Sequence, residues 1–419
     1  MRYAITTFGC RVNQADSLQL EMQLRARGAT PASLDEADLV VVNSCSVTAT
    51  ADQGTRQALR RVARLNPRAR VIATGCYATR AAEEIRKLPG AREVIANDEK
   101  HAIVDRILPR VETTAERFGD GVGPCGAHTS PAEVGRVAFM LRVQTGCDEP
   151  CAYCIIPSTR GRGRSLQPVQ VLGAVGHAAD SGFREVVLTG VHLGSYGRDL
   201  GPSVTLMTLL RTLDSHRSNV TFRISSLEPM DCPPELVEMV ASSGRFAPHF
   251  HLPLQHASDA ILRRMRRPYT LDDYRRVVDR IRGRLPHAGI GSDLIAGFPG
   301  EQDDDARRTL DYVSASPLTY LHVFPYSPRT GTEASGLSGR VAGPLVRERA
   351  RALRAVGVSL SRRFRETQIG TVRSGLTLEG SAVVLTDNYL KVTVPPGQAG
   401  NRRVDVRITG ADPLTGTVE

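Results

Sequence analysis

The sequence has no tryptophan, and aromatic residues of every kind make up 5% of its 419 positions. Large aromatic anchors are therefore scarce. No apolar stretch approaches the ~20 residues that cross a bilayer, which excludes a membrane-spanning helix. The opening stretch, MRYAITTFGC, lacks a basic segment followed by an apolar run. That excludes a recognisable secretion signal, so a cytoplasmic location with no membrane partner is expected. Acidic residues are in deficit: 44 Asp and Glu face 54 Lys and Arg, a net charge of +10. The excess favours a polyanionic partner, nucleic acid before membrane. Eight cysteines are too few for a disulfide scaffold in a chain this long, and metal ligation or catalysis is the expected use. What is present is an ordinary globular balance, 41% hydrophobic and 23% charged, enough for two or three domains.

The first hundred residues alternate between strand and helix. RYAITTF, ADLVVVNS and RVIATG read as strands. NQADSLQLEMQLRARG reads as an amphipathic helix capped by Asn13 and stopped by Gly28, and Thr48 caps the next helix. The pattern predicts a parallel sheet with helices on its faces over residues 1–112. Cys10 follows the first strand, Cys45 the second and Cys76 the third. Ligands bind outside the carboxyl ends of parallel strands, so these three thiols are expected to converge. Residues 113–132 read as a linker without apolar period, and Cys125 within it as an incidental thiol.

Between 133 and 364 six further strands alternate with helices: VAFMLRVQ, EVVLTG, VTFRIS, HFHLPL, GIGSDLIAG and YLHVFPY. Six units, short of eight, predict an open, partial (β/α)6 barrel. Residues 366–419 change to short alternating runs broken by Gly, Pro, Asn and Asp, the pattern of a small β-barrel. The fold class is α/β with this terminal β domain.

The stretch RVQTGCDEPCAYCIIPSTRGRG places Cys147, Cys151 and Cys154 in CxxxCxxC spacing after the first barrel strand. That is the carboxyl end, where barrel active sites lie. Four close thiolates would suit a structural zinc or a closed cluster. Three leave one metal position without a protein ligand, as in a 4Fe–4S cube with one free iron. The competing reading is a zinc ion that borrows His192 or His256.

CxxxCxxC after the first strand of a partial barrel resembles the radical S-adenosylmethionine (SAM) superfamily. The resemblance implies that SAM chelates the open iron through its amino and carboxylate groups. It implies that one electron then cleaves SAM to a 5′-deoxyadenosyl radical. It places Tyr153 near the adenine, and Thr189 and Gly190 of VVLTGVHLG near the methionine amine. Ser225 and Glu228 of RISSLEP and Gln255 of PLQHASD are further SAM candidates, with SDLIAGFPGE at another strand end.

The second cysteine set, in TFGCRVNQADS, VNSCSVT and ATGCYA, narrows the resemblance. An α/β domain with these cysteines, a radical SAM domain and a terminal β domain is similar to the methylthiotransferases, whose β domain is a TRAM module. The similarity implies a second 4Fe–4S cluster on Cys10, Cys45 and Cys76, involved in sulfur delivery. One branch of that family modifies isopentenyl-adenosine in tRNA and another an aspartate of a ribosomal protein. A third modifies threonylcarbamoyl-adenosine at tRNA position 37. YCIIP, LTGVHLGSYG, RISSLEP and MRRPYT resemble the third. PLQHASD departs from the usual PLQSGSD, and CDEPC from CNNFC; both keep the cluster cysteines.

The implied partners are the tRNA anticodon loop, a one-electron donor of flavodoxin or ferredoxin type, and a sulfur donor. Arg160, Arg162, Arg164 and the RRMRR run at 263–267 are candidates for guiding the RNA backbone. The terminal β domain is expected to serve RNA affinity rather than radical chemistry. A non-catalytic iron–sulfur electron carrier, the reading from another class, would normally supply four cysteines per cluster. Cys232 has no partner in the sequence pattern.

Overall fold

The computed structural model describes residues 1–91, 93–108, 131, 137–378, 380 and 382–419. Cys125 and the expected linker, apart from residue 131, lie outside the described residues.

The N-terminal sheet has five parallel strands in the order β2-β1-β3-β4-β5. They are β1 (Arg2–Thr7), β2 (Thr30–Pro31), β3 (Leu39–Ser44), β4 (Arg70–Gly75) and β5 (Glu93–Val94). β3 is buried along its whole length, as a central strand covered on both faces must be. Val40, Val42, Leu59 and Val62 fill one face, and Leu20, Leu24, Val41 and Ile72 the other. The strand order reverses between β1 and β3, and Cys10 and Cys45 flank that switch point, with Cys76 one strand further on.

Thr48 caps the helix α2 (Ala49–Leu65) by accepting from Ala51 N at 3.2 Å, as expected. The cap of α1 (Arg11–Ala26) differs from expectation. Its N-cap is Cys10, and Asn13 lies inside the first turn. Asn13 is fully buried and donates through Nδ2 to Phe8 O (2.8 Å) and Ser44 O (2.9 Å). Two strand-end carbonyls compete better for this amide than the helix's own N–H groups do, because burial leaves no water to satisfy them.

The second domain places six parallel strands in two sheets of three. β9 (Glu185–Thr189) lies between β6 (Ala138–Arg142) and β10 (Thr221–Ile224), and β12 (Gly289–Ala296) lies between β11 (His249–His251) and β13 (Tyr320–Pro325). Isolated bridges Phe222↔Phe246 and Ser226↔His251 join the halves. The small antiparallel pair β7 (Gln144–Thr145) and β8 (Arg164–Ser165) clips the three-cysteine loop at its base. The lumen face of β12 is opened by glycine: a Cβ on Gly291 would lie 1.9 Å from the Tyr320 ring.

The last five strands close into a barrel in the order β14-β15-β16-β18-β17. These are β14 (Val372–Thr377), β15 (Val383–Thr386), β16 (Lys391–Thr393), β17 (Arg403–Ala411) and β18 (Leu414–Val418). The turn after β15 closes the amino-terminal floor of the partial barrel. Arg223 is fully buried, is held by Glu185 (2.7 and 3.0 Å), and donates to Asp387 O at 2.8 Å. Asn388 Nδ2 donates to His287 O at 2.9 Å, and a Cβ on Gly289 would meet Asn388 O at 2.4 Å. Among the described residues no helix is long and apolar enough to cross a membrane.

Candidate active site

The loop that carries Cys147, Cys151 and Cys154 is shaped by its own backbone. Gly146 takes φ +73°, and a Cβ there would fall 1.9 Å from Arg162 O, so only glycine closes the loop. Cys147 N donates to Gly161 O (3.1 Å) and Cys154 N to Cys151 O (3.1 Å). Gln144 braces the base: Nε2 donates to Gly146 O (2.8 Å), and Oε1 accepts from His192 N (2.9 Å). Burial pushes the Cys154 thiol up to about 12, and the charges of Cys151 and Cys147 add to the effect. Burial also raises Cys151, against the pull of Arg267. Cys151 and Cys154 thus resist deprotonation, and a bound metal group is what converts such thiols to thiolates.

At the N-terminal strand ends, Cys45 is likewise pushed up to about 12, by burial first and then by Cys10 and Cys76. Cys10, Cys45 and Cys76 each follow a strand end of the same parallel sheet. Gly9 sits at φ +92°, and a Cβ there would lie 2.4 Å from Cys45 Sγ. Cys10 is exposed, whereas Cys45 and Cys76 are buried. Val47 N and Asn97 Nδ2 reach Cys45 Sγ and Cys76 Sγ, each at 3.5 Å.

As they stand, neither cysteine set is drawn tight enough for a zinc ion. Among the described residues only His251, Asp293 and His322 bring three His, Cys, Asp or Glu ligand atoms within 4.8 Å of one another. Neither cysteine triplet does. A tetrahedral zinc with Zn–S bonds of about 2.3 Å requires sulfurs about 3.8 Å apart. His192 Nδ1 stands 3.9 Å from Cys147 Sγ, and its Nε2 is engaged with Asp231 Oδ2 at 2.6 Å. His256 faces the helix at 303–315, beside Thr309 Oγ1 at 3.2 Å.

The two thiol sets are tied together by a buried ion network. Asp16 of α1 accepts from Lys100 Nζ (2.8 Å), Arg160 NH2 (3.1 Å) and Arg142 NH1. Arg160 NH2 also donates to Asn13 Oδ1 at 2.6 Å, and Asn97 Nδ2 to Thr159 O at 2.9 Å. A second tie joins Arg329 NH1 to Asp52 Oδ2 at 2.6 Å. This corrects the reading of Arg160 as an RNA contact: it is buried, because its charge is consumed at the domain interface. Arg162 remains exposed, paired to Asp148 at 3.2 Å.

Of the SAM candidates, Tyr153 and Glu228 converge on Cys151. Tyr153 meets Phe298 edge-on at 6.5 Å. Glu228 is ion-paired to Arg267, whose NH1 donates to Cys151 Sγ at 3.0 Å. Thr189 O accepts from Val143 N at 2.9 Å, and Gly190 lets the chain pass close to Gln144, 3.0 Å from a built Cβ. Ser225 is buried, with its Oγ unpartnered among the described residues. Gln255 lies on the opposite wall, where its N–H donates to Asp293 O at 2.8 Å. Sequence reasoning missed Arg267 as a site residue. It read only as one of the arginines of 263–267, and no local signal separates it from its exposed neighbours Arg263, Arg264 and Arg266. Cys232 packs into the apolar core, and burial pushes its thiol up to about 12.

Residues 2–96 match the family described as Uncharacterized protein family UPF0004, and residues 141–313 match the Radical SAM superfamily. The threonylcarbamoyladenosine tRNA methylthiotransferase MtaB of Aquifex aeolicus (strain VF5) is 35% identical over 94% of this chain and 96% of its own. The chain belongs to the radical SAM methylthiotransferase family.

Other branches of the family are similar too. The ribosomal protein uS12 methylthiotransferase RimO of Salinispora tropica is 34% identical, covering 88% of this chain and 82% of its own. A tRNA-2-methylthio-N(6)-dimethylallyladenosine synthase of Pelotomaculum thermopropionicum is 31% identical, covering 98% and 95%. The solved radical S-adenosylmethionine methyltransferase TsrM of Kitasatospora setae shares the fold, with TM-score 0.55 and 15% identity over 80% of this chain and 76% of that one. The cofactors of a radical SAM methylthiotransferase are 4Fe–4S clusters and SAM, and the two three-thiol sets fit the clusters in donor type.

Proposed function

We propose that this radical SAM methylthiotransferase acts on tRNA and places a methylthio group on C2 of N6-threonylcarbamoyladenosine at position 37. The observation that carries this reading is the pairing of two open three-thiol sets across one interface, tied by Arg160 and Asp16. The 35% identical relative from Aquifex, matched over nearly its full length, is named for the same substrate.

In this reading Cys147, Cys151 and Cys154 hold the SAM-cleaving cluster, and Cys10, Cys45 and Cys76 hold the second. The bound clusters and SAM supply the electron, the hydrogen-abstracting radical and the site of sulfur attachment. The chain's own residues bind and orient. Arg267 and Glu228, beside Cys151, offer one cation and one anion, the complement of an amino acid's carboxylate and ammonium. Tyr153, backed edge-on by the fully buried Phe298, gives an aromatic face for an adenine. Ser225 Oγ, Thr189, Gly190 and Gln255 remain SAM candidates at the strand ends. Adenine C2 lies at the Watson–Crick edge, so the base must be unpaired and splayed, which an anticodon loop permits. The reading requires a one-electron donor and a sulfur donor, and a cytoplasmic setting where tRNA is found. It divides the chain into residues 1–112, a linker 113–132, 133–364 and a TRAM-like domain 366–419.

The test supplies reconstituted enzyme, SAM, sulfide and a reductant with anticodon stem-loops that carry either modification. Threonylcarbamoyl RNA should gain a methylthio group much faster than isopentenyl RNA. Equal or faster conversion of the isopentenyl RNA would move the chain to that branch. Modification of a ribosomal protein aspartate alone would move it to the other.

A further inference from the structure

Side chains of all three domains meet at the lumen of the partial barrel, and among the described residues its charges are matched with one exception. Arg223 is held by Glu185 through two hydrogen bonds. Asp293 Oδ1 accepts from His251 Nε2 (3.0 Å) and His322 Nδ1 (3.1 Å). Tyr320 OH lies between His249 Nε2 (2.8 Å) and His251 Nδ1 (3.1 Å). Arg11 is the exception. It is the residue after Cys10, yet its guanidinium reaches across to the terminal β-barrel and lies 5.3 Å from the centre of the Tyr389 ring. Its NH1 is buried and has no hydrogen-bond partner among the described residues. The residue is otherwise partly exposed, but a buried donor without a partner is costly, and this one is placed to receive an acceptor that arrives later.

Tyr389 supports that conclusion. It holds φ +75° at the turn between β15 and β16, a conformation a tyrosine keeps only where its surroundings impose it. The strained turn sets the ring against His249, 4.4 Å between centroids, and beneath the Arg11 and Arg223 guanidiniums at 5.3 and 5.2 Å. One cation of that pair is neutralised by Glu185. The other is oriented and left open.

We propose that Arg11 is the subsite for a carboxylate carried by the substrate nucleobase. The inference rests on the function proposed above and deepens it. A threonylcarbamoyl group on N6 of adenine ends in a carboxylate, which a guanidinium binds through charge-assisted hydrogen bonds. An isopentenyl group in the same place leaves the buried Nη1 of Arg11 unmatched. Because Arg11 is bonded to Cys10, gripping the N6 substituent also fixes the base relative to the N-terminal thiol set. Tyr389 acts as a positioning residue that holds Arg11 over the lumen.

The test uses two anticodon stem-loops of one sequence, one with the threonylcarbamoyl acid and one with its neutral primary amide. RNA phosphates are identical in both, so a phosphate contact by Arg11 cannot separate them. Affinity is read by fluorescence anisotropy on the holoenzyme without reductant, and turnover with it. The wild type should favour the acid roughly 10- to 100-fold in both, the range for a hydrogen bond to a charged group. R11Q should bring the ratio close to one, with iron content and RNA-independent SAM cleavage preserved. R11K should retain part of the preference. Equal treatment of acid and amide by the wild type overturns the subsite without use of any variant, and so does an undiminished preference in R11Q. Failure of the wild type to modify the acid RNA at all, while isopentenyl RNA is converted, overturns the substrate reading itself.

Discussion

Asp16 gathers three cations around one carboxylate between the two thiol sets. Burial alone would raise its pKa, but Lys100, Arg160 and Arg142 outweigh that and hold it well below the usual carboxylate range. Asp16→Asn should therefore cost about 3–5 kcal/mol at pH 7, because it strands buried charge. Urea unfolding of the two proteins checks this. A loss below about 1 kcal/mol, the worth of an exposed pair, would show that the cations do not depend on Asp16. The sign with pH follows from the depressed value. The stabilisation is complete above the ordinary Asp value of about 3.9 and drains as pH falls below it toward the folded value. The gap between wild type and variant should hold steady above about pH 5 and narrow below about pH 4. In the sequence Asp16 reads as one polar residue of an amphipathic helix. Its partner Arg160, 144 residues away, reads as part of an Arg–Gly loop. Nothing local announces their pairing.

Both thiol-bearing loops depend on glycines that a side chain would block. At Gly146 a Cβ would strike Arg162 O, and at Gly9 it would strike Cys45 Sγ, both at positive φ. Gly146→Ala should lose the iron of the barrel site, about half the total, together with SAM cleavage. Gly9→Ala should lose the other half and keep SAM cleavage. Iron and acid-labile sulfide analysis with a 5′-deoxyadenosine assay reads both, and full iron in either variant would contradict the steric argument. At this scale the sequence was highly legible. The six barrel strands stand where alternation placed them, and Thr48 caps its helix. The cap of α1 was misplaced because Asn13, a good capping type, is recruited by the ends of β1 and β3.

The terminal β-barrel looked separable from the radical chemistry in the sequence, and the assembled molecule gives it a second role. Its β15–β16 turn closes the floor of the partial barrel through Asp387, Asn388 and Tyr389. Removing residues from 366 onward strips the buried Arg223 of its Asp387 and Thr386 carbonyl partners and opens the lumen to water. The truncated protein should lose thermal stability and SAM cleavage as well as RNA affinity. A truncated protein with wild-type melting temperature and wild-type SAM cleavage would restore the separable reading.

The sequence alone determined the three-part order of the chain, the strand-end position of Cys10, Cys45 and Cys76, and the CxxxCxxC loop. Each of these follows from short-range periodicity and spacing, which local backbone preferences translate directly into structure. Tertiary structure alone decided the rest: that Arg160 is a strut and not an RNA contact, that Arg267 faces Cys151 while its neighbours face solvent, and that Arg11 and Tyr389 meet. Those outcomes depend on which buried charges find partners across domain interfaces. That pairing is settled by burial and distance between residues far apart in the chain, quantities that no local stretch of sequence encodes.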